Sequence, residues 1–106
     1  MKNPILDAAL SVAADHYKVT QKHMKETLTA GKGNKHESVI LARGAYIYIA
    51  NMYGIASGVS ADYIGLNRGN ATTNRQRFEK EMKPKDQLSL FDKVGKRILI
   101  KKQWPN

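Results

Sequence analysis

The chain contains no cysteine. Disulfides and thiolate metal sites are therefore excluded, and the absence suits a reducing, cytoplasmic setting. No run of about 18 apolar residues is present, so no membrane span is expected. The opening stretch MKNPILDAALSVAAD is broken by Asp7 and ended by Asp15. It reads as an amphipathic helix and not as a signal peptide. The three histidines, His16, His23 and His36, have no metal-ligand spacing. There is no G-x-x-x-x-G-K-[ST] phosphate loop, no arrangement resembling a catalytic triad and no clustered carboxylate site. Asp7 and Asp15 are read as solvated charges. An enzyme is thus the least expected class, and no cofactor is called for. Internal repeats and low-complexity tracts are also missing.

Acid is scarce as well: 9 Asp and Glu face 18 Lys and Arg, a net charge of +9. The excess is one-sided. Residues 1–66 carry 7 basic and 5 acidic side chains, whereas residues 67–106 carry 11 and 4. A field this asymmetric attracts a polyanion, either nucleic acid or an acidic membrane surface. With 106 residues, 42% of them apolar, the chain should form one folded domain over 1–106, with a basic tail from about 99.

The elements expected are all helical. Asn3 caps and Pro4 starts a first helix, with Ile5, Leu6, Ala9, Val12 and Ala13 on one face and His16 and Tyr17 at its end. Thr20 can cap a short second helix running to about Leu28, with Met24 and Leu28 inward. Residues 30–35, AGKGNK, form a flexible basic loop. Asn34 and Glu37 have capping-box spacing and open the longest helix, about 35–53. Its broad apolar face, Val39, Ala42, Tyr46, Ile49 and Tyr53 widened by Ile40, Ile47 and Tyr48, makes it central. The tyrosines are read as packing. Gly44 inside that helix costs stability, and its presence suggests close approach of a neighbouring helix. Gly54 and Gly58 bracket the helix end. Ser60 starts a short helix stopping at Gly65. Asn70 can cap the next, which reaches Lys83 and is limited by Pro84. A last helix spans about 86–98, with Leu88, Phe91, Val94 and Ile98 at helical spacing. The tail RILIKKQWP either extends it or forms a short strand. The class is all-α, with five to six helices.

Residues 56–82, ASGVSADYIGLNRGNATTNRQRFEKEM, have the ingredients of a helix-turn-helix. Such a motif needs a small residue where its helices cross, apolar residues that lock the pair, and a turn often containing glycine. Ala61 supplies the first, and Ile64, Gly65 and Leu66 the turn. Ala71, Phe78 and Met82 can face inward. Asn70, Thr72, Thr73, Gln76 and Arg77 then point outward, with Lys80 on the same side. Amides suit adenine, arginine suits guanine, and threonine suits the thymine methyl. Thr and Asn near a helix start are also common caps. Asn74 falls where many such motifs carry an apolar residue.

The chain resembles the C-terminal DNA-binding domain of the bacterial replication initiator DnaA, over most of residues 5–100. The first helix ending in His16-Tyr17-Lys18-Val19 is similar to the family's Tyr-Lys-Ile type ending. Val39, Arg43, Tyr48, Ile49 and Ala50 match its long central helix. Ser60 with Ile64-Gly65 is similar to its pre-recognition turn, and Thr72-Thr73 resembles the paired threonines of its Gly-Gly-Arg-Asp-His-Thr-Thr signature. The closing helix around Phe91 and Ile98 is similar in placement. The departures are definite. Gly69, Asn70 and Ala71 replace the residues before the threonines, the link from Ile64-Gly65 is shorter, and no ATPase module is present. Overlaying the threonines puts Asn74, Arg77 and Glu81 at apolar family positions. A one-residue shift instead matches Phe78 and Met82 there, and both registers stay open.

The resemblance implies a Trp-repressor-like helical fold. It also implies phosphate contacts from the basic loop at Lys32 and Lys35, a DNA contact from Arg43, and base reading by Thr72 and Thr73. Charge and position add Arg68, Arg75 and Arg77. The expected function is that of a stand-alone sequence-specific binder of double-stranded DNA regulating transcription or replication, from a phage or mobile element. A protein partner of that machinery would be compatible with it. The rival from another class is a small helical protein-interaction module, an adaptor or inhibitor using the same fold.

Overall fold

The computed structural model describes residues 3–25 and 33–103, and of residues 23, 33–36 and 99–103 only the helical backbone. The described residues form six helices and no strand: α1 (Pro4–Tyr17), α2 (Gln21–Lys25), α3 (Gly33–Met52), α4 (Ser57–Tyr63), α5 (Arg68–Glu81) and α6 (Pro84–Gln103). The all-α class is as expected. None of these helices is long and apolar enough to cross a membrane.

α3 is the centre, as the width of its apolar face requires. Ala42, Ala45, Tyr46, Ile47, Ile49 and Ala50 are all fully buried. α5 and α1 pack on it most extensively, α4 and α2 less so, and α6 lies chiefly along α1. α1 begins as its sequence suggests. The Asn3 side chain accepts from the amides of Ile5 and Leu6, both at 3.1 Å, and Pro4 occupies the first helical position, where its missing N–H costs nothing.

Other boundaries differ from expectation. α3 is already helical at Gly33, so Asn34 lies within it rather than capping it, and Lys35 belongs to the helix and not to a loop. α4 starts at Ser57, which places Gly58 inside it. α6 starts at Pro84 and continues through Gln103, so the strand alternative for the tail is excluded over these residues. Its inward side is also rotated. Leu88 is 53% exposed, while Gln87, Leu90 and Val94 are buried. A polar residue takes the inward place because Gln87 Nε2 donates to the carbonyls of Met82 (2.8 Å) and Glu79 (3.1 Å), satisfying orphan acceptors at the end of α5.

Polar struts fix the remaining angles. Tyr46 donates to the Ser60 carbonyl at 2.7 Å, seating α4 on α3. Tyr63 donates to Asp7 at 2.6 Å and accepts from the Asn3 amide, joining α4 to the start of α1. Arg97 reaches Ser11, and Asp15 at 2.7 Å, clamping α6 to α1. Asp7 and Asp15 are therefore ligated charges and not simply solvated ones. Tyr53 stacks on Phe91 with centroids 4.7 Å apart, and Tyr48 meets Phe78 at a tilt with centroids 5.4 Å apart, as expected of packing tyrosines.

Gly44 is the tightest point. A Cβ built there would sit 2.1 Å from the Asn74 carbonyl oxygen and 2.7 Å from Phe78 Cβ. Gly44→Ala gains about 1 kcal/mol of helix propensity. It loses about 3 kcal/mol or more, because α5 backbone must move to admit the methyl group. Chemical denaturation should show a net loss, whereas Gly95→Ala, whose methyl meets only the Tyr53 hydroxyl at 3.1 Å, should change stability far less.

Burial also raises two tyrosines. Tyr17 is pushed up to about 12 by desolvation and then by Glu81. Tyr46 is pushed higher still by desolvation, with Tyr63 and Asp7 adding to it. Both folded values lie above the unfolded value near 10, so the stability they contribute is complete below about pH 10 and lost as pH rises through the folded values. In an alkaline titration followed at the tyrosinate band, the Tyr46 signal should emerge only as helical dichroism disappears. Ionisation of every tyrosine before any loss of helix would contradict this.

Candidate nucleic-acid interface

α4, the turn at residues 64–67 and α5 form one continuous unit. Ala61 is fully buried where α4 meets α5, and Ile64 and Leu66 are buried beside it. Gly65 has φ +71°, a left-handed conformation that a side chain would oppose. Asn67, not Asn70, caps α5: its Oδ1 accepts from the Gly69 amide at 2.8 Å and the Asn70 amide at 3.4 Å. A signal for this was present. Leu66 before the cap and Ala71 four positions into the helix are both buried, the spacing of a hydrophobic staple.

The inward side of α5 is Ala71, Asn74 and Phe78, flanked by half-buried Met82. Asn74 is thus an inward polar residue whose backbone oxygen faces Gly44. On the opposite side Asn70, Thr72, Thr73, Gln76, Arg77 and Lys80 are all exposed. Thr73, Gln76, Arg77, Lys80 and Glu81 line a shallow open groove of about 580 Å³. The Thr72 and Thr73 hydroxyls donate back to the Arg68 and Gly69 carbonyls, at 3.3 and 3.1 Å. That bond fixes each side chain and leaves its methyl group available for apolar contact. Gln76 and Lys80 have no hydrogen bond or ion pair among the described residues.

The arginines are each held differently. Arg68, 72% exposed, pairs with Asp62 at 3.0 Å, and this hydrogen bond raises its pKa. Its guanidinium lies over Gly58, where an added Cβ would meet Arg68 Cζ at 3.0 Å. Arg75 is half-buried. It donates to Asn51 at 2.9 Å and lies 3.5 Å from Glu79. Asn51 also accepts from Ser57 and donates to the Ile55 carbonyl, so it ties α5 to the α3–α4 corner. Arg77, 42% exposed, donates to Glu37 of α3 and lies 3.7 Å from Glu81.

One expected member lies away from this surface. Arg43 is only 6% exposed, and its Nε donates to the Met24 carbonyl at 2.7 Å. In place of the DNA contact expected of it, Arg43 takes an internal role, holding α2 on α3. Lys32 lies outside the described residues, as does the side chain of Lys35. Sequence reasoning missed Glu37, Asn51, Asn67 and Gln87. Among the described residues no group of three His, Asp or Glu could hold a metal ion. No family model, curated protein or solved structure matches the chain.

The two asparagines separate a cap from a candidate contact. Asn67→Ala should cost about 1 kcal/mol in chemical denaturation, the ordinary value of a lost N-cap. Asn70→Ala should stay within about 0.5 kcal/mol, as an exposed change does. Equal costs would place the cap at neither residue alone.

Proposed function

We propose that the protein binds double-stranded DNA in a sequence-specific manner, with α4–turn–α5 acting as a helix-turn-helix and α5 entering the major groove. The observation that carries this reading is the outward side of α5. Amide, hydroxyl and cationic groups (Asn70, Thr72, Thr73, Gln76, Arg77, Lys80) are exposed together on one helix whose other side is locked into the core. That is the set of donors and methyl groups that distinguishes base edges. Arg68 beside Gly58 and the lysines of the 30–35 region would lie on phosphates, which position the helix without reading sequence. Kinship with the DnaA C-terminal domain, a Trp-repressor-like fold, and a role in transcription or replication in the cytoplasm belong to the same proposal.

The test is selection of bound duplexes from a random pool, followed by titration across salt. About four to six phosphate contacts should cost on the order of four to five decades of affinity for a tenfold rise in salt. Gln76→Ala should leave the melting temperature nearly unchanged and relax preference at one or two base pairs by about 1–3 kcal/mol. Affinity flat in salt would reject the reading. So would failure to bind duplex together with retention of a protein partner after nuclease treatment, which would favour the interaction module instead.

A further inference from the structure

Arg77 is held along one edge. Its Nη2 donates to Glu37 Oε1, and its Nε lies 3.7 Å from Glu81 Oε1. Those two nitrogens form one side of the planar guanidinium fork. The other side, Nη1 with the second hydrogen of Nη2, has no partner among the described residues. Glu81 is on the next turn of α5. Glu37 comes from α3, which cannot slide on α5 because Gly44 meets the Asn74 backbone. One carboxylate therefore moves with the arginine's own helix, and the other is presented by the helix against which that helix is locked.

The geometry points to Glu37 as a positioning residue that aims Arg77 at the double-acceptor edge of a guanine. This rests on the proposed function and names a specific reading within it. A free arginine can swing onto the phosphates of any sequence. An arginine held by Nη2 on Glu37, with the Glu81 carboxylate beside its Nε, keeps its far edge free, two parallel N–H groups that match the O6 and N7 acceptors of guanine. Adenine puts a donor where guanine has O6, so it does not fit. The two carboxylates also repel a fully charged phosphate more than a neutral base. Together, holding and repulsion favour the specific complex and disfavour the non-specific one. A plain surface ion pair would do neither, and its contribution to stability would be small.

The test uses the full chain and the duplex selected above, with each G·C pair replaced in turn by A·T. Arg77→Ala should lose discrimination at one G·C pair by about tenfold or more. Glu37→Gln, with its helical spectrum unchanged, should lose about threefold to fivefold at that same pair, binding the selected duplex more weakly and random duplex more tightly. The double variant should discriminate no worse than Arg77→Ala, since Glu37 acts through Arg77. Asp92→Asn on α6 makes the same charge change outside the groove and should tighten binding to both duplexes alike. If Glu37→Gln behaves as Asp92→Asn does, Glu37 aims nothing. If the wild type selects a sequence and Arg77→Ala costs no particular base pair, the inference falls while the proposed function stands. If the wild type binds no duplex, both fall.

Discussion

The contact of Gly44 with the Asn74 backbone is the constraint on which the arrangement of this protein turns. With no side chain between them, α3 and α5 approach until a single methyl group would collide with main chain. That closeness seats Phe78 against Tyr48 and buries Ala71. It also sets the rotation of α5. Once residues 71, 74 and 78 are inward, the 3.6-residue period leaves 72, 73, 76, 77 and 80 outward. The candidate interface is thus a consequence of packing on its far side. A helix free to roll by a third of a turn would mix Phe78 with Gln76 on the surface and have no defined face.

Polar groups add to apolar burial in fixing the other helices. Buried tyrosine, arginine and glutamine side chains reach carbonyls of neighbouring helices, as with Tyr46 to Ser60, Arg43 to Met24 and Gln87 to Met82. Each bond satisfies an acceptor that burial would otherwise leave unpaired, so each is costly to break and specifies one geometry. α4 has seven residues and no side-chain cap, too short to persist alone. It holds its place through Tyr46, Tyr63 and the Asn51 network.

What was legible in the sequence follows from this division. Apolar periodicity located α1 and α3, and Gly44 in a core helix was recognisable as a close approach, because such a glycine has few other uses. Asn3-Pro4 was unambiguous for the same reason. The misreadings fall where a polar residue does an apolar residue's work. Gln87 displaces Leu88 from the inward side of α6, and Arg43 turns inward, because each finds backbone carbonyls that no pattern reveals. Asn67 and Asn70 are equally good caps by type, and only the Leu66–Ala71 staple separates them. Glu37 was read only for its capping-box spacing, and its pairing with Arg77 could not be found, since that partner lies 40 residues away.

The distribution of charge supports a separation of tasks on the proposed function. All three arginines of α5 have carboxylate partners: Asp62 for Arg68, Glu79 for Arg75, and Glu37 with Glu81 for Arg77. The exposed Lys83, Lys85, Lys93 and Lys96 form no ion pair among the described residues. A paired charge contributes little field beyond its own neighbourhood, whereas unpaired lysines act out to about a Debye length, roughly 8 Å at physiological salt. The attraction that brings a polyanion to this surface would then come mainly from lysines, Lys80 of α5 among them. The arginines of α5 would act chiefly at contact, where an arginine's geometry matters more than its charge. A helix that read bases through unpaired arginines would hold every duplex it met. On the proposed function, carboxylates beside these arginines, in a segment otherwise so basic, would weaken that indiscriminate hold without removing the donors that discriminate.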